Sequence, residues 1–142
     1  MTGASLISCA ENSTPLPNPG FEDGDKMWSF GDSTSKLAPE AAHEGKAGLR
    51  VGDEEYNSDP GSVTSARLQV KPGQDITLSF WARGKNKSSG AYIYFYDSNG
   101  KVIAKPQPAL WPVNEDGQWH QYSLKEKSPA NASSVAVWVH FS

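Results

Sequence analysis

Apolar and polar side chains alternate along three separate segments of the chain, which is the pattern of β-strands. Leu78, Phe80 and Ala82 alternate with polar or aromatic neighbours in the first segment, and the same period of two recurs over residues 91–96 and 135–141. Neighbouring side chains on a strand point to opposite faces of its sheet. Each strand is therefore predicted to have one apolar face and one mixed face, and shorter strands are predicted at residues 28–30, 48–51, 66–70 and 119–124.

Turn residues separate these segments at intervals of about ten residues, the spacing expected of a sandwich or a barrel. Ser98, Asn99 and Gly100 form a strong hairpin signal. The chain has 13 Gly and 10 Pro, and no segment shows a sustained helical period. The sequence therefore predicts an all-β fold, a two-sheet antiparallel β-sandwich, over residues 18–142.

Residues 1–17 are predicted to form an N-terminal tail or tether, because residues 10–17 are polar and interrupted by proline. Within this tail, Leu6, Ile7, Ser8 and Cys9 resemble the cleavage box of a bacterial lipoprotein, in which the cysteine becomes the lipidated first residue. Two explanations stay open: the box is the remnant of a trimmed signal, or the match is accidental.

The mixed faces of the predicted strands carry most of the large aromatic residues. Alternation places outward the residues Trp81, Arg83, Tyr92, Tyr94, Tyr96, Trp138 and His140. A contiguous aromatic surface is costly to leave exposed unless something binds there. The C–H face of a pyranose ring can lie flat on an aromatic ring, while its hydroxyls exchange hydrogen bonds with polar groups such as Gln121. The alternative is that loops or a neighbouring domain cover this face as a second core.

The segment 105–112 holds three prolines, so it is predicted to be a stiff surface loop rather than a central strand. It carries Trp111, which either forms a wall of the predicted binding site or caps one end of the core.

Composition removes several classes of function. The 142 residues include 13 Lys and Arg against 16 Asp and Glu, so there is no basic footprint for nucleic acid. Apolar runs are far shorter than the roughly 20 residues of a membrane span, and a single cysteine excludes a disulfide framework. Catalytic motifs are missing, and Tyr94, His140 and Arg83 are the only candidate catalytic trio. We therefore expect a domain that is not an enzyme.

Four stretches in order resemble a known group of modules. They are Asn18–Glu22, His43–Val51, Leu68–Gly73 and Ile76–Gly84, and they look like parts of the jelly-roll carbohydrate-binding modules of families four, nine, sixteen and twenty-two. The resemblance implies a jelly roll, attachment to a polysaccharide-degrading enzyme, and a glycan site on the concave sheet. The concave-face positions it implies are the seven outward residues given above.

The same resemblance implies one structural calcium ion. Its ligands would include Glu22 and backbone oxygens of the turn at His43 and Lys46, with a further strand bearing paired aspartates. This chain stops at Ser142, before such a strand. Either the sequence is cut short or the N-terminal tail fills the vacant sheet edge.

Taken together, these features predict a monomeric, non-catalytic module that binds a polysaccharide or oligosaccharide and tethers a covalently linked glycoside hydrolase or similar enzyme to it. We expect it to be bacterial and secreted or at the cell surface, with Cys9 as the candidate lipid anchor. The alternative is a structural or protein-interaction domain of a larger secreted enzyme or adhesin, with its aromatic face buried against a neighbour.

Overall fold

The computed structural model describes residues 5–9, 16–18, 20–32, 35–51, 62–83, 89–103, 109–110 and 116–141. These residues form eleven strands and one short 3-10 helix at Pro39–Ala41. In chain order the strands are β1 (Ser5–Cys9), β2 (Trp28–Phe30), β3 (Lys36–Ala38), β4 (Gly48–Arg50), β5 (Ser62–Ser65), β6 (Leu68–Gln69), β7 (Asp75–Ala82), β8 (Ser89–Tyr96), β9 (Ala109–Leu110), β10 (His120–Lys127) and β11 (Ser134–Phe141). In this described part of the chain no helix is long and apolar enough to cross a membrane.

The strands form two main sheets in which every described pairing is antiparallel. The three-stranded sheet has the order β1-β7-β10. The six-stranded sheet has the order β2-β5-β11-β8-β9, with β6 also pairing with β11. A separate pair, β3 and β4, completes the described strands. This arrangement confirms the predicted all-β, two-sheet antiparallel β-sandwich.

One hydrophobic core lies between the two main sheets. Leu78 and Phe80 of β7 enter it from the three-stranded sheet, and Ile93 of β8 and Val137 of β11 enter it from the six-stranded sheet. Burial alternates along β7 as the period of two predicts. Burying each such side chain contributes about 1.5–3 kcal/mol. Because the inner faces share this core, the outer faces of the two sheets point in opposite directions.

The long strands lie close to their predicted positions, but the short strands β1, β3, β5 and β9 were not predicted. β5 at Ser62–Ser65 has one large apolar residue, Val63, and therefore shows no clear alternation of polarity. Its place beside β11 comes from pairing, with Trp138 opposite Thr64. The predicted strand over residues 66–70 is reduced to the two residues of β6.

The first strand lies within the segment that the sequence predicts to be a tether. Residues Ser5–Cys9 form β1 and pair with β7 from Ser5 opposite Trp81 to Cys9 opposite Thr77. For these five residues the structure differs from the predicted tail, because backbone pairing with an open sheet edge does not require a marked apolar pattern.

Candidate functional site

The outer face of the six-stranded sheet carries aromatic side chains from the adjacent strands β8 and β11. On β8, Ile93 and Phe95 are buried in the core, whereas Tyr92 and Tyr94 alternate with them and are half-buried on the other side. Tyr92 lies opposite Trp138 of β11 in the strand register. Strand pairing therefore brings together aromatic residues that are about 45 positions apart in the sequence.

These rings contact one another. The ring centroid of Trp138 lies 5.2 Å from that of Tyr94 with an interplanar angle of 15°, and 4.8 Å from that of Tyr92. The ring of His140 lies 4.5 Å from Trp138 on the same strand. Each aromatic pair of this kind contributes about 0.5–1.5 kcal/mol beyond its buried area. We refer to Tyr92, Tyr94, Trp138 and His140 as the aromatic face.

A hydrogen bond to Ser62 of β5 fixes the orientation of the Trp138 indole. The indole Nε1 donates to the hydroxyl oxygen of Ser62 at 2.7 Å. Ser62 is itself the register partner of His140, and Thr64 is the partner of Trp138. Small polar residues of β5 thus border the indole on one side and the rings of β8 contact it on the other, so the indole is already oriented in the absence of a ligand.

The polar groups of the aromatic face are uncharged near neutral pH. Burial raises the pKa of Tyr92, and burial with smaller repulsive contributions from Tyr96 and Tyr92 raises the pKa of Tyr94. Burial lowers the pKa of His140, whose buried Nδ1 has no hydrogen-bond partner among the described atoms. The phenol hydroxyls can therefore both donate and accept hydrogen bonds.

Tyr96 differs from the prediction that all three tyrosines of β8 face water. It is only 6% exposed, because the guanidinium carbon of Arg67 lies 3.7 Å above its ring centroid. Its ring meets that of Tyr94 edge-on at 6.3 Å. Tyr96 therefore supports one end of the aromatic face instead of presenting an open ring.

The prediction that Trp81, Arg83 and Gln121 share this face is wrong. Trp81 lies on β7 and pairs with Gln121 of β10 in the three-stranded sheet. Their outer face points away from the aromatic face, because the core lies between the two sheets. Alternation identifies the side of its own sheet on which a residue lies, but it does not identify the sheet.

Trp81 is also covered by a neighbour that sequence reasoning assigned to a metal site. The imidazole of His43 stacks on its indole at 4.1 Å with an interplanar angle of 9°, and meets Trp119 edge-on at 5.1 Å. The Arg83 guanidinium lies 5.0 Å from the Trp119 ring and donates a hydrogen bond to the backbone oxygen of Glu40. These four residues, His43, Trp81, Trp119 and Arg83, form a packed arrangement that we call the His43 cluster.

The described side chains of β7 and β10 on the rest of the outer surface of the three-stranded sheet are polar. Ser79 and Ser123 face each other there with hydroxyl oxygens 3.3 Å apart, and Lys125 is exposed on β10. Apart from the His43 cluster, the described positions on this surface therefore offer little for an apolar sugar face to stack on.

Trp111 lies outside the described residues. The backbone immediately before it forms β9, whose Ala109 pairs with Tyr92 and whose Leu110 pairs with Ala91 at the edge of the six-stranded sheet. This edge position agrees with the prediction that the proline-rich segment is not a central strand.

One predicted calcium ligand, the Glu22 carboxylate, contacts the turn that contains Gly45. Gly45 has a φ of +76°, and a Cβ there would overlap Glu22 Oε1. The same oxygen accepts a hydrogen bond from the Lys46 amide at 3.1 Å. A calcium ion takes six to eight oxygen ligands, and the described residues contain no group of three or more His, Cys, Asp or Glu side chains suited to a metal. The described residues alone do not complete a calcium shell.

Sequence reasoning missed two residues, Arg67 and Ser62, that contact aromatic rings on the outer side of the six-stranded sheet. Arg67 alternates with Ala66 and Leu68, so its outward position was visible in the pattern, but nothing in the sequence placed it over Tyr96. Ser62 gave no signal, because its contact with Trp138 depends on the pairing of β5 with β11.

Solved structures of other proteins share the fold of this chain. The chain aligns with a family 16 carbohydrate-binding module at 17% identity and a TM-score of 0.62, covering 89% of this chain and 93% of that one. A family 61 module, TmCBM61, solved with β-1,4-galactotriose, gives 19% identity, a TM-score of 0.55, and coverage of 88% and 86%.

A larger protein contains a similar unit. The enzymatically active domain of tailspike protein 4 from bacteriophage CBA120 aligns at 15% identity and a TM-score of 0.65 over 89% of this chain. This chain spans only 19% of that one. At these identities the likeness concerns the fold.

A comparison with curated proteins gives no match. A sequence model described as a carbohydrate binding domain, CBM_4_9, matches residues 16–142. This match covers both main sheets except β1, and it includes every residue of the aromatic face. The chain belongs to the CBM_4_9 family of carbohydrate-binding domains.

Proposed function

We propose that the aromatic face binds a polysaccharide or oligosaccharide chain non-covalently and without catalysis. The observation that carries this proposal is the contact of Trp138 with Tyr94 and Tyr92, with ring centroids 5.2 and 4.8 Å apart. These half-buried rings offer a continuous apolar platform on a sheet whose inner side is already filled by the core. Membership of a carbohydrate-binding family supports the same conclusion.

Sugar rings would stack on Trp138 and Tyr94 through their C–H faces, while the Tyr92 and Tyr94 hydroxyls exchange hydrogen bonds with sugar hydroxyls. The rigid support of the indole by Ser62 matters here. A ring that is already oriented loses little conformational freedom on binding, so more of the stacking energy appears as affinity.

The module would serve to hold a linked polysaccharide-degrading enzyme on its substrate at the cell surface or outside a bacterial cell. Joining a binding module to an enzyme makes the second encounter intramolecular and raises the local substrate concentration. Lipid anchoring at Cys9 would need cleavage before that residue, which removes Ser5–Ser8 from β1. An intact β1 and a lipidated Cys9 therefore exclude each other in one chain.

We also propose that the turn at Gly45 holds one structural calcium ion, with Glu22 as its side-chain ligand. The support is the contact of that carboxylate with the turn. Further oxygens would have to come from the backbone, from water or from outside the described residues.

The binding proposal is tested by affinity electrophoresis over a panel of soluble polysaccharides. We expect at least one polysaccharide to retard the protein, and we expect Trp138→Ala and Tyr94→Ala each to weaken this retention about tenfold or more, as loss of a central aromatic contact does at other interfaces. Gln121→Ala is the matched control, because Gln121 is exposed on the opposite sheet.

Unchanged mobility of the wild-type protein in every gel would overturn the proposal. It would favour the alternative of an interaction domain whose aromatic face packs on a neighbour. Equal losses for Gln121→Ala and Trp138→Ala would also contradict it, because binding would then not depend on the aromatic face.

A further inference from the structure

Arg67 places a positive charge at one end of the aromatic face. Its guanidinium lies flat over Tyr96, with 3.7 Å between the guanidinium carbon and the ring centroid. Tyr96 in turn contacts Tyr94 edge-on at 6.3 Å. A glycan chain lying along Trp138 and Tyr94 and extended towards this end would therefore reach Arg67.

Within the described part of the chain, most of the hydrogen-bonding capacity of this guanidinium is unused. One Nη1 hydrogen points to the backbone oxygen of Gly100 over a long 3.4 Å contact, whereas an arginine has five N–H donors in a rigid planar fork. No carboxylate among the described residues forms an ion pair with Arg67. Arg67 is exposed, so the fork is accessible to a ligand, while its stacking on Tyr96 orients it.

The acidic residue that follows Tyr96 in the sequence forms its hydrogen bonds elsewhere. Asp97 follows Tyr96 directly, but its Oδ1 accepts hydrogen bonds from the amides of Asn99 at 2.9 Å and Lys101 at 3.0 Å. This carboxylate stabilises the hairpin turn instead of neutralising Arg67. Lys101, which is exposed in the same turn, adds a second positive charge near this end.

Among the described residues, no outward strand position of this sheet carries an acidic side chain, although the Asp32 carboxylate accepts a hydrogen bond from the Ser62 amide at 2.6 Å. The described outward positions on the six-stranded sheet are Ser29, Ser62, Thr64, Gln69, Tyr92, Tyr94, Tyr96, Ser134, Ala136, Trp138 and His140. Burial lowers the pKa of His140, which keeps that ring neutral near pH 7. Arg67, with Lys101 nearby, therefore supplies the positive charge at this end of the face, although the whole chain has a net charge of −3.

We infer that Arg67 forms a subsite for an oxyanion substituent of the bound glycan, and that the preferred ligand is an acidic polysaccharide. A planar guanidinium fork pairs in a bidentate manner with a carboxylate, so a uronic acid is the substituent that this geometry favours over a sulfate ester. The inference rests on the proposed function, because it requires a glycan on the aromatic face.

The test compares polymers that share a backbone and differ in charge. Polygalacturonate and its fully methyl-esterified form are titrated by affinity electrophoresis, with a sulfated galactan as the second anionic probe. The proteins are the wild type, Arg67→Gln, and Lys125→Gln as a control that removes the same charge from the opposite sheet. We expect Arg67→Gln to weaken binding of polygalacturonate about tenfold, as expected for the loss of a charge-assisted hydrogen-bond pair.

The methyl ester and the Lys125→Gln variant are the two controls that distinguish an anionic subsite from a structural role of Arg67. Binding of the methyl ester should change less than twofold in Arg67→Gln, and Lys125→Gln should bind all polymers like the wild type. A tenfold loss confined to the sulfated galactan would assign the subsite to sulfate and overturn the uronic acid assignment. Equal losses for acid and ester would make Arg67 a support for Tyr96 only, and would overturn the inference.

Failure of the inference is separable from failure of the binding proposal. If Trp138→Ala abolishes retention while Arg67→Gln binds acid and ester like the wild type, the aromatic face binds glycan but Arg67 makes no anionic subsite. If Trp138→Ala retains wild-type binding to every polymer, the proposed function itself fails. Melting temperatures of all variants confirm that folded proteins are compared.

Discussion

Replacing Trp81 should separate stability from binding. Its indole is half-buried and stacks on His43 at 4.1 Å, on the sheet opposite the aromatic face. Replacing a fully buried Trp with Ala costs about 3–5 kcal/mol, and an aromatic pair contributes about 0.5–1.5 kcal/mol. For a half-buried indole with one stacked partner, we expect Trp81→Ala to lower the free energy of unfolding by about 2 kcal/mol.

Urea unfolding followed by far-ultraviolet circular dichroism measures this loss, because that signal does not depend on the removed indole. With a slope of about 1–3 kcal/mol per molar urea, the midpoint should fall by about 1 M. A His43→Ala variant and the double variant complete a cycle that isolates the stacking energy. Affinity for the retained polysaccharide should change less than twofold.

One combination of stability and binding results would refute the structural role of Trp81. If Trp81→Ala remained as stable as the wild type and lost binding about tenfold, the indole would belong to the glycan site. The assignment of the site to the six-stranded sheet would then be wrong.

Three further predictions concern other parts of the molecule. His140 has a folded-state pKa below its unfolded value of 6.5, so its neutral form favours folding above that pH. This contribution should be lost as the pH falls through the folded-state pKa, and His140→Gln should flatten this part of a melting-temperature profile. Calcium at one hundred times its Kd should stabilise the wild type by about 2.7 kcal/mol but not Glu22→Gln, and the absence of a calcium-dependent thermal shift would contradict the calcium site. Deleting residues 1–9 should lower the urea midpoint because β7 loses its partner β1, while glycan affinity, which lies on the other sheet, should stay the same.

The fold was largely predictable because its longest strands alternate in polarity. Most buried residues of β7, β8 and β11 are those that the period of two placed inward, with Tyr96 and Ala136 as buried exceptions on the outward side. Tyr92, Tyr94 and Trp138 are only partly buried, in agreement with their outward placement. Alternation is a local property of one strand, so it could identify these residues without any knowledge of pairing.

The division of the site between two surfaces was not predictable in this way. Trp81 and Trp138 have the same local pattern, yet β7 pairs with β1 and β10 whereas β11 pairs with β5 and β8. Sheet membership depends on contacts between distant segments, and no residue in either strand encodes it locally. The stacking of His43 on Trp81 was missed for the same reason, since it joins residues 38 positions apart.

The core and the aromatic face are specified by the same register between β8 and β11. Ile93 pairs with Val137 on the inner side, and the next pair along, Tyr92 with Trp138, lies on the outer side. A slip of one residue would expose the aliphatic pair and bury the rings, so burial of Ile93 and Val137 strongly selects this register. The residues that stabilise the sandwich therefore also position the rings of the aromatic face, even though they never reach its surface.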